Sequence, residues 1–218
     1  MPNTTFCAGR EEILYLGNVN FLISQIIDLL AILLTFLVTY KAANFVLKKS
    51  IFTITTKILL LQNLAYANIH QVFYGIEAIE LLYKAIFLLD HPCDLLQSEA
   101  HCACYLEVML AGGAGMIYGH TALMLERLFA TFIKSYEKPK SYIIEAFLSI
   151  ALFISSAVTG RLLLWDDPLK EYVIACFVFP SQSFGRANWY FTVCTVLTLF
   201  NFVVSLWILR YNRCAEFK

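Results

Sequence analysis

A chain of 218 residues that is 60% hydrophobic and only 15% charged has too little polar surface to stand in water as a soluble domain. Its sixteen basic and sixteen acidic side chains leave a formal net charge of zero, so no global field draws it to nucleic acid or another polyanion. The composition points instead to the bilayer, whose hydrocarbon core of about 30 Å takes roughly 20 mostly apolar residues to cross as a helix.

Residues 1–19 read as an extracellular tail. They lack the basic start and apolar run of a cleaved signal peptide, so the first apolar helix must serve as the insertion signal. Five spans are predicted near 20–40, 51–74, 105–129, 142–164 and 190–209, each bounded by charge, Pro or Gly. Residues 210–218 follow as a cytoplasmic tail. The second span is the least apolar, because Gln62, Asn63, Asn68, His70 and Gln71 interrupt it, and such groups need partners inside a helix bundle. After it, residues 76–89 place Glu77, Glu80 and Lys84 on one helical face and Ile79, Leu82 and Ile86 on another. This stretch reads as an extension lying outside the membrane.

Orientation follows from the basic residues. Lys41, Lys48, Lys49, Lys57, Arg127, Lys134, Lys138, Lys140, Arg210, Arg213 and Lys218 fall on one side, and only Arg10, Lys84, Arg161, Lys170 and Arg186 on the other. The positive-inside rule therefore puts the N-terminus outside. Asn3-Thr4-Thr5, a glycosylation acceptor sequence, lands on that outer side.

Five cysteines, Cys7, Cys93, Cys102, Cys104 and Cys176, are predicted to face the oxidising exterior, where disulfides form. Cys194 lies within a span and reads as a small apolar residue, and Cys214 faces the cytoplasm. Cys176 stands midway along the loop between the fourth and fifth spans, with Cys102 and Cys104 at the mouth of the third. A bridge to either would tie the loop over the bundle.

Glu126-Arg127 closes the inner end of the third span. Neighbours in sequence do not face each other on a helix, so this pair invites outside partners. Taken alone, Arg127 would simply snorkel to the headgroups. It also lies one membrane thickness plus about a turn beyond Cys102.

At this point the chain resembles the nematode serpentine receptors, most closely class alpha (Sra), with class AB a near second. The resemblance is carried by YANIHQ (66–71) with YGIE (74–77), CDLLQSE (93–99), MIYGH (116–120), LERLFAT (125–131), WDDPL (165–169) and RYN (210–212). It implies an all-α membrane protein, five spans of the seven-helix bundle of a G protein-coupled receptor. It further implies that Glu126 and Arg127 stand where such receptors keep the acidic–Arg pair that helps hold the resting state, and that Cys102 and Cys176 match the receptor disulfide. Cys104 is the fallback partner, and a second bridge, Cys7 to Cys93, is expected. The implied partners are membrane lipids, an unknown small-molecule chemosensory ligand outside and a heterotrimeric G protein inside, at the plasma membrane. Because the family has seven membrane helices and this chain carries five, it is expected to be cut short after the fifth and unable to couple ligand to G protein alone.

Other intramembrane polar groups bear on the same bundle. Asp28 shares a face with Ser24, Gln25 and Thr35, and Asn63 and Asn68 are its expected partners. Glu107, roughly 7.5 Å below Cys102 by helical rise, either meets a ligand pocket or snorkels upward. His120 falls on one stripe with Gly113 and Arg127 and is expected to be buried and hydrogen-bonded rather than a ligand contact. Gly115 to Gly119 is a small-xxx-small step, read as close packing within the bundle in preference to a receptor oligomer.

No HExxH, paired CxxC, P-loop or nucleophile elbow occurs, so the sequence supports no metal site, cofactor or catalytic group. Two competing functions are a five-span channel or transporter, with Asp28, Asn63, Asn68 and His70 lining a polar path, and a non-signalling partner of full-length receptors. Transporters commonly show repeated halves with broken helices, and this chain shows neither.

Overall fold

The computed structural model describes residues 7–49, 53–132 and 141–216, of which 55, 141–143, 145 and 213–216 are described by backbone alone. Asn3, the inner-loop lysines Lys134, Lys138 and Lys140, Lys218 and the Cys214 side chain lie outside the described residues. Six helices follow one another: α1 Arg10–Leu16, α2 Val19–Lys48, α3 Ile54–Phe87, α4 Glu99–Phe132, α5 Ser141–Leu163 and α6 Phe184–Glu216. Two short strands, β1 Gln97–Ser98 and β2 Tyr172–Val173, pair antiparallel in the register Gln97 with Val173 and Ser98 with Tyr172.

Local chemistry starts these helices where the sequence offers a cap. The Asn18 side chain accepts from the Asn20 N–H at 2.9 Å, and Thr53 Oγ1 accepts from the Thr56 N–H at 3.3 Å, each satisfying a donor the helix cannot use. At α1 the Glu12 carboxylate reaches back to the Gly9 N–H at 2.7 Å. After α5 the chain turns through Asp166 at φ 62° and Leu169 at φ 48°, a left-handed geometry that aspartate tolerates better than leucine.

The burial pattern is that of a bundle facing lipid. On α2 only Phe21, Gln25, Ile32, Thr39 and Val46 are buried, a stripe of heptad-like spacing, while Leu30, Leu34 and Leu37 are each more than 60% exposed. Among the described residues four helices, α2, α4, α6 and the 146–163 part of α5, are long and apolar enough to cross a membrane. Helix α3 equals α4 at 34 residues; the amides and histidine in its first half lower its hydropathy.

Helices α3 and α4 form the spine, and glycines bring them together. A Cβ at Gly115 would stand 2.3 Å from the Tyr66 ring, one at Gly112 2.8 Å from the His70 backbone, and one at Gly119 2.8 Å from Asn63 Oδ1. The small-xxx-small step is therefore used inside the chain, for helix packing.

One expectation needs correction here, and the α3 extension adds a finding. The N-terminal segment is more than a tail, since α1 folds over the bundle with Leu16 fully buried in a cluster that includes Phe21, Leu81, Leu95 and Ala175. In the α3 extension the faces are reversed relative to a helix in water: Glu77 and Lys84 are buried, whereas Ile79 and Ile86 are about 60% exposed. The charged face turns inward because the polar backbone of the loop before α6 lies against it.

Candidate functional site

The functional side chains gather at the two ends of the bundle, with a polar seam between them. At the capped end, Cys102 near the start of α4 is bonded to Cys176 in the loop before α6, with Cα atoms 4.7 Å apart, and Cys7 is bonded to Cys93, with Cα atoms 3.9 Å apart. Cys104 is exposed and unbridged, and Cys194 is buried and unbridged. The loop holding Cys176 is also gripped by α3. The Cys176 N–H donates to Glu77 Oε1 at 2.5 Å, and Lys84 Nζ donates to the Ile174 carbonyl at 2.7 Å while standing 3.1 Å from Glu80. Gln97 Nε2 donates to Glu80 in turn. Next to the short strand pair, the Glu171 N–H donates to Glu99 Oε2 at 3.1 Å and the Glu99 N–H to the Glu171 carbonyl at 3.0 Å. Burial pushes the Glu77 carboxyl above the ordinary glutamate range, with the Cys176 N–H and Lys84 pulling the other way.

Along the seam, Asp28 meets Tyr74, whose hydroxyl donates at 3.5 Å. This corrects the expected partnership with Asn63 and Asn68. Asn68 instead accepts from Thr39 at 3.0 Å, and the side chain of Asn63 packs on Gly119. Both α3 amides point toward neighbours other than Asp28 because α2 packs on α3 with Thr39 at the level of Asn68 and Asp28 three turns away, roughly 16 Å by helical rise, beside Tyr74. His70 Nδ1 lies 3.0 Å from the Met109 carbonyl, and Gln62 exchanges two hydrogen bonds with Ser149, at 2.8 Å to its hydroxyl and 3.2 Å to its carbonyl. Asn201 on α6 donates to Thr121 on α4 at 2.8 Å. His120 is exposed on the surface of α4, contrary to the expected buried position, because the face of α4 that packs on α3 is the one carrying Gly112, Gly115 and Gly119. Glu107 lies 3.8 Å from Arg161 on α5.

At the opposite end, Glu126 is almost completely buried at 1% exposure. Arg127 folds back on its neighbour, with Nε 3.2 Å from Glu126 Oε2; the long side chain overcomes the divergence of adjacent helix positions, so this pair is internal as well as open to partners. Thr56 on α3 joins the two. Its hydroxyl donates to Glu126 Oε1 at 3.1 Å and accepts from Arg127 Nη2 at 3.2 Å. Thr56 was not among the residues singled out by sequence, although its place one turn into a helix opening with Thr53 is the pattern of a capped helix start. The three residues are joined through their side chains.

A bundle of apolar helices with a disulfide-tied lid at one end and a Glu–Arg–Thr cluster at the other defines a helical integral membrane protein. The family profile described as serpentine-type 7TM GPCR chemoreceptor Sra matches residues 2–218, and the chain belongs to that family. It is 46% identical over 218 residues to serpentine receptor class alpha-2 of Caenorhabditis elegans, covering 100% of this chain and 66% of that protein. It is 48% identical over 215 residues to class alpha-9 of the same organism, covering 99% and 65%, and 46% identical over 214 residues to class alpha-4, covering 98% and 65%. The chain thus spans just under two thirds of the length of these relatives.

Proposed function

We propose that the chain works in chemosensation at the plasma membrane, as a receptor and without enzymatic activity, its N-terminus and disulfide-tied lid outside and Arg127 inside. A small molecule from outside biases the bundle between two arrangements, and a heterotrimeric G protein reads the end that carries Glu126, Arg127 and Thr56. The observation that carries this reading is the three-way contact of those residues, a latch built from one helix pair and openable without unfolding it. Family membership supports the small-molecule and G protein partners.

The test expresses the chain in cells with promiscuous G proteins, alone and beside a full-length class alpha relative, and follows G protein recruitment once surface arrival is verified with an N-terminal tag. Glu126→Gln weakens the hold on Arg127 and is expected to raise basal recruitment. Arg127→Ala is expected to abolish it. The reading fails if, with the protein at the surface, neither substitution changes recruitment in either setting, or if an antibody on intact cells reaches a C-terminal tag.

A further inference from the structure

Between α3, α4 and α5, apart from both side-chain clusters, lies a cleft of about 530 Å³, within the roughly 300–1,000 Å³ of small-molecule sites. Its floor is the buried pair Tyr66–Ser156, in which the Ser156 hydroxyl donates to the Tyr66 oxygen at 2.9 Å. Its rim carries the only two charges that line it, Glu107 and Arg161, 3.8 Å apart, with side chains 34% and 80% exposed. Gly160 sets the pair: a Cβ there would stand 2.9 Å from the Glu107 Cα, so α5 presses its backbone on α4 just before Arg161.

The pair lies at headgroup depth. Helix α4, with 34 residues, is roughly 51 Å long against a hydrocarbon core of about 30 Å, and Glu107 is roughly 12 Å in from Glu99 by helical rise. Arg161 is two residues from the end of α5, and Trp165, 67% exposed, follows as an aromatic anchor of the kind that marks a membrane interface. Phe153, at the inner part of the cleft, is 63% exposed, so the cleft opens sideways, to the acyl chains.

We propose that this cleft binds one zwitterionic phospholipid of the surrounding membrane, its phosphate on Arg161, its ammonium group on Glu107 and an acyl chain laid over Tyr66 and Ser156. Two opposite charges side by side select this headgroup. An anionic lipid would meet the Glu107 carboxylate, a cationic one the Arg161 guanidinium, and a zwitterion satisfies both. The site consists wholly of helices in this chain and is independent of the signalling reading.

The test places the 218-residue chain in nanodiscs with phosphatidylcholine carrying a photoactivatable diazirine midway along one acyl chain, and maps the labelled peptides. Labelling at 107–112 and 153–161 is expected at least threefold above that of the lipid-facing α2 stretch 30–37, and unlabelled phosphatidylcholine should compete better than phosphatidylglycerol or a trimethylammonium lipid. Arg161→Glu should shift the competition toward the cationic lipid and Glu107→Arg toward phosphatidylglycerol, while the double exchange restores the zwitterion. Ala157→Trp, at an exposed position on the cleft wall, should remove cleft labelling and leave α2 labelling unchanged, with the Cys102–Cys176 bridge still formed as the folding check. Cleft labelling equal to α2, or competition indifferent to both charge reversals, means annular lipid only and overturns the proposal.

Discussion

The two ends of the bundle are held by different chemistry. The capped end joins covalent bonds to buried charges that grip backbone: Cys102–Cys176 and Cys7–Cys93, Glu77 on the Cys176 N–H and Lys84 on the Ile174 carbonyl. Among the described residues the opposite end is joined through side chains, with Arg127 nearly half exposed at 48% and held by Glu126 and Thr56. Backbone partners cannot rotate away as a side chain can, and a buried charge stripped of its partner is costly. The difference teaches that one end is fixed by covalent and backbone ties and the other by side chains that are free to rotate.

Breaking the capped end should have the largest effect. The Cys102–Cys176 bridge spans a sequence separation of 74 residues, for which the chain-entropy account gives about 4 kcal/mol. Cys176→Ser is expected to lower the thermal unfolding midpoint in nanodiscs and to leave Cys102 reactive to maleimide. A midpoint unchanged from wild type would mean the lid stands without its covalent tie.

A smaller effect is expected from the charges under the lid. Lys84→Met keeps the apolar stem but leaves Glu80 and the Ile174 carbonyl short of a donor, at a cost of about 1–3 kcal/mol. The pH dependence sharpens the same point. Since Glu77 holds its proton more tightly folded than unfolded, the folded lid binds more protons in the window between the ordinary glutamate value and the raised one. Stability therefore falls as pH rises through that window. Glu80 and Lys84 face the same carboxyl, so the comparison to make is wild type against Glu77→Gln across pH ~4 to ~8, where the substitution should flatten this part of the slope. An identical pH profile in both proteins would assign the slope elsewhere.

The smallest effect belongs to the opposite end. Thr56→Val removes the hydroxyl shared by Glu126 and Arg127 and is expected to cost about 1 kcal/mol by the same unfolding measurement. If it costs as much as Lys84→Met, the contrast between the ends fails.

Much of this frame was legible beforehand, for physical reasons that differ by residue. Long apolar runs announce membrane helices because hydrocarbon accepts little else, and the Gly115–Gly119 step announces close backbone approach because a Cβ leaves no room for Tyr66 or Asn63. The lid contacts were hidden. Glu77, Glu80 and Lys84 form an acidic–basic face that in water would turn to solvent, and only the tertiary path of the loop through Ile174 and Cys176 turns it inward. Thr56 was hidden for a related reason: a threonine one turn into a helix looks like local capping until a second helix brings Glu126 against it. His120 was misjudged because sequence periodicity finds a stripe on α4 without saying which stripe meets α3. The partner of Asp28 was missed because polar residues in lipid announce a need for company while leaving the companion unnamed.

One consequence follows from the length of α3. Thr56 and Lys84 sit on a single helix, Ile54–Phe87, 28 positions and so roughly 42 Å apart. The helix runs continuously between them, so a rotation of α3 as a rigid body would displace both residues together. The side-chain cluster at Arg127 and the lid at Cys176 thus share one mounting, the two ends of a single 34-residue helix.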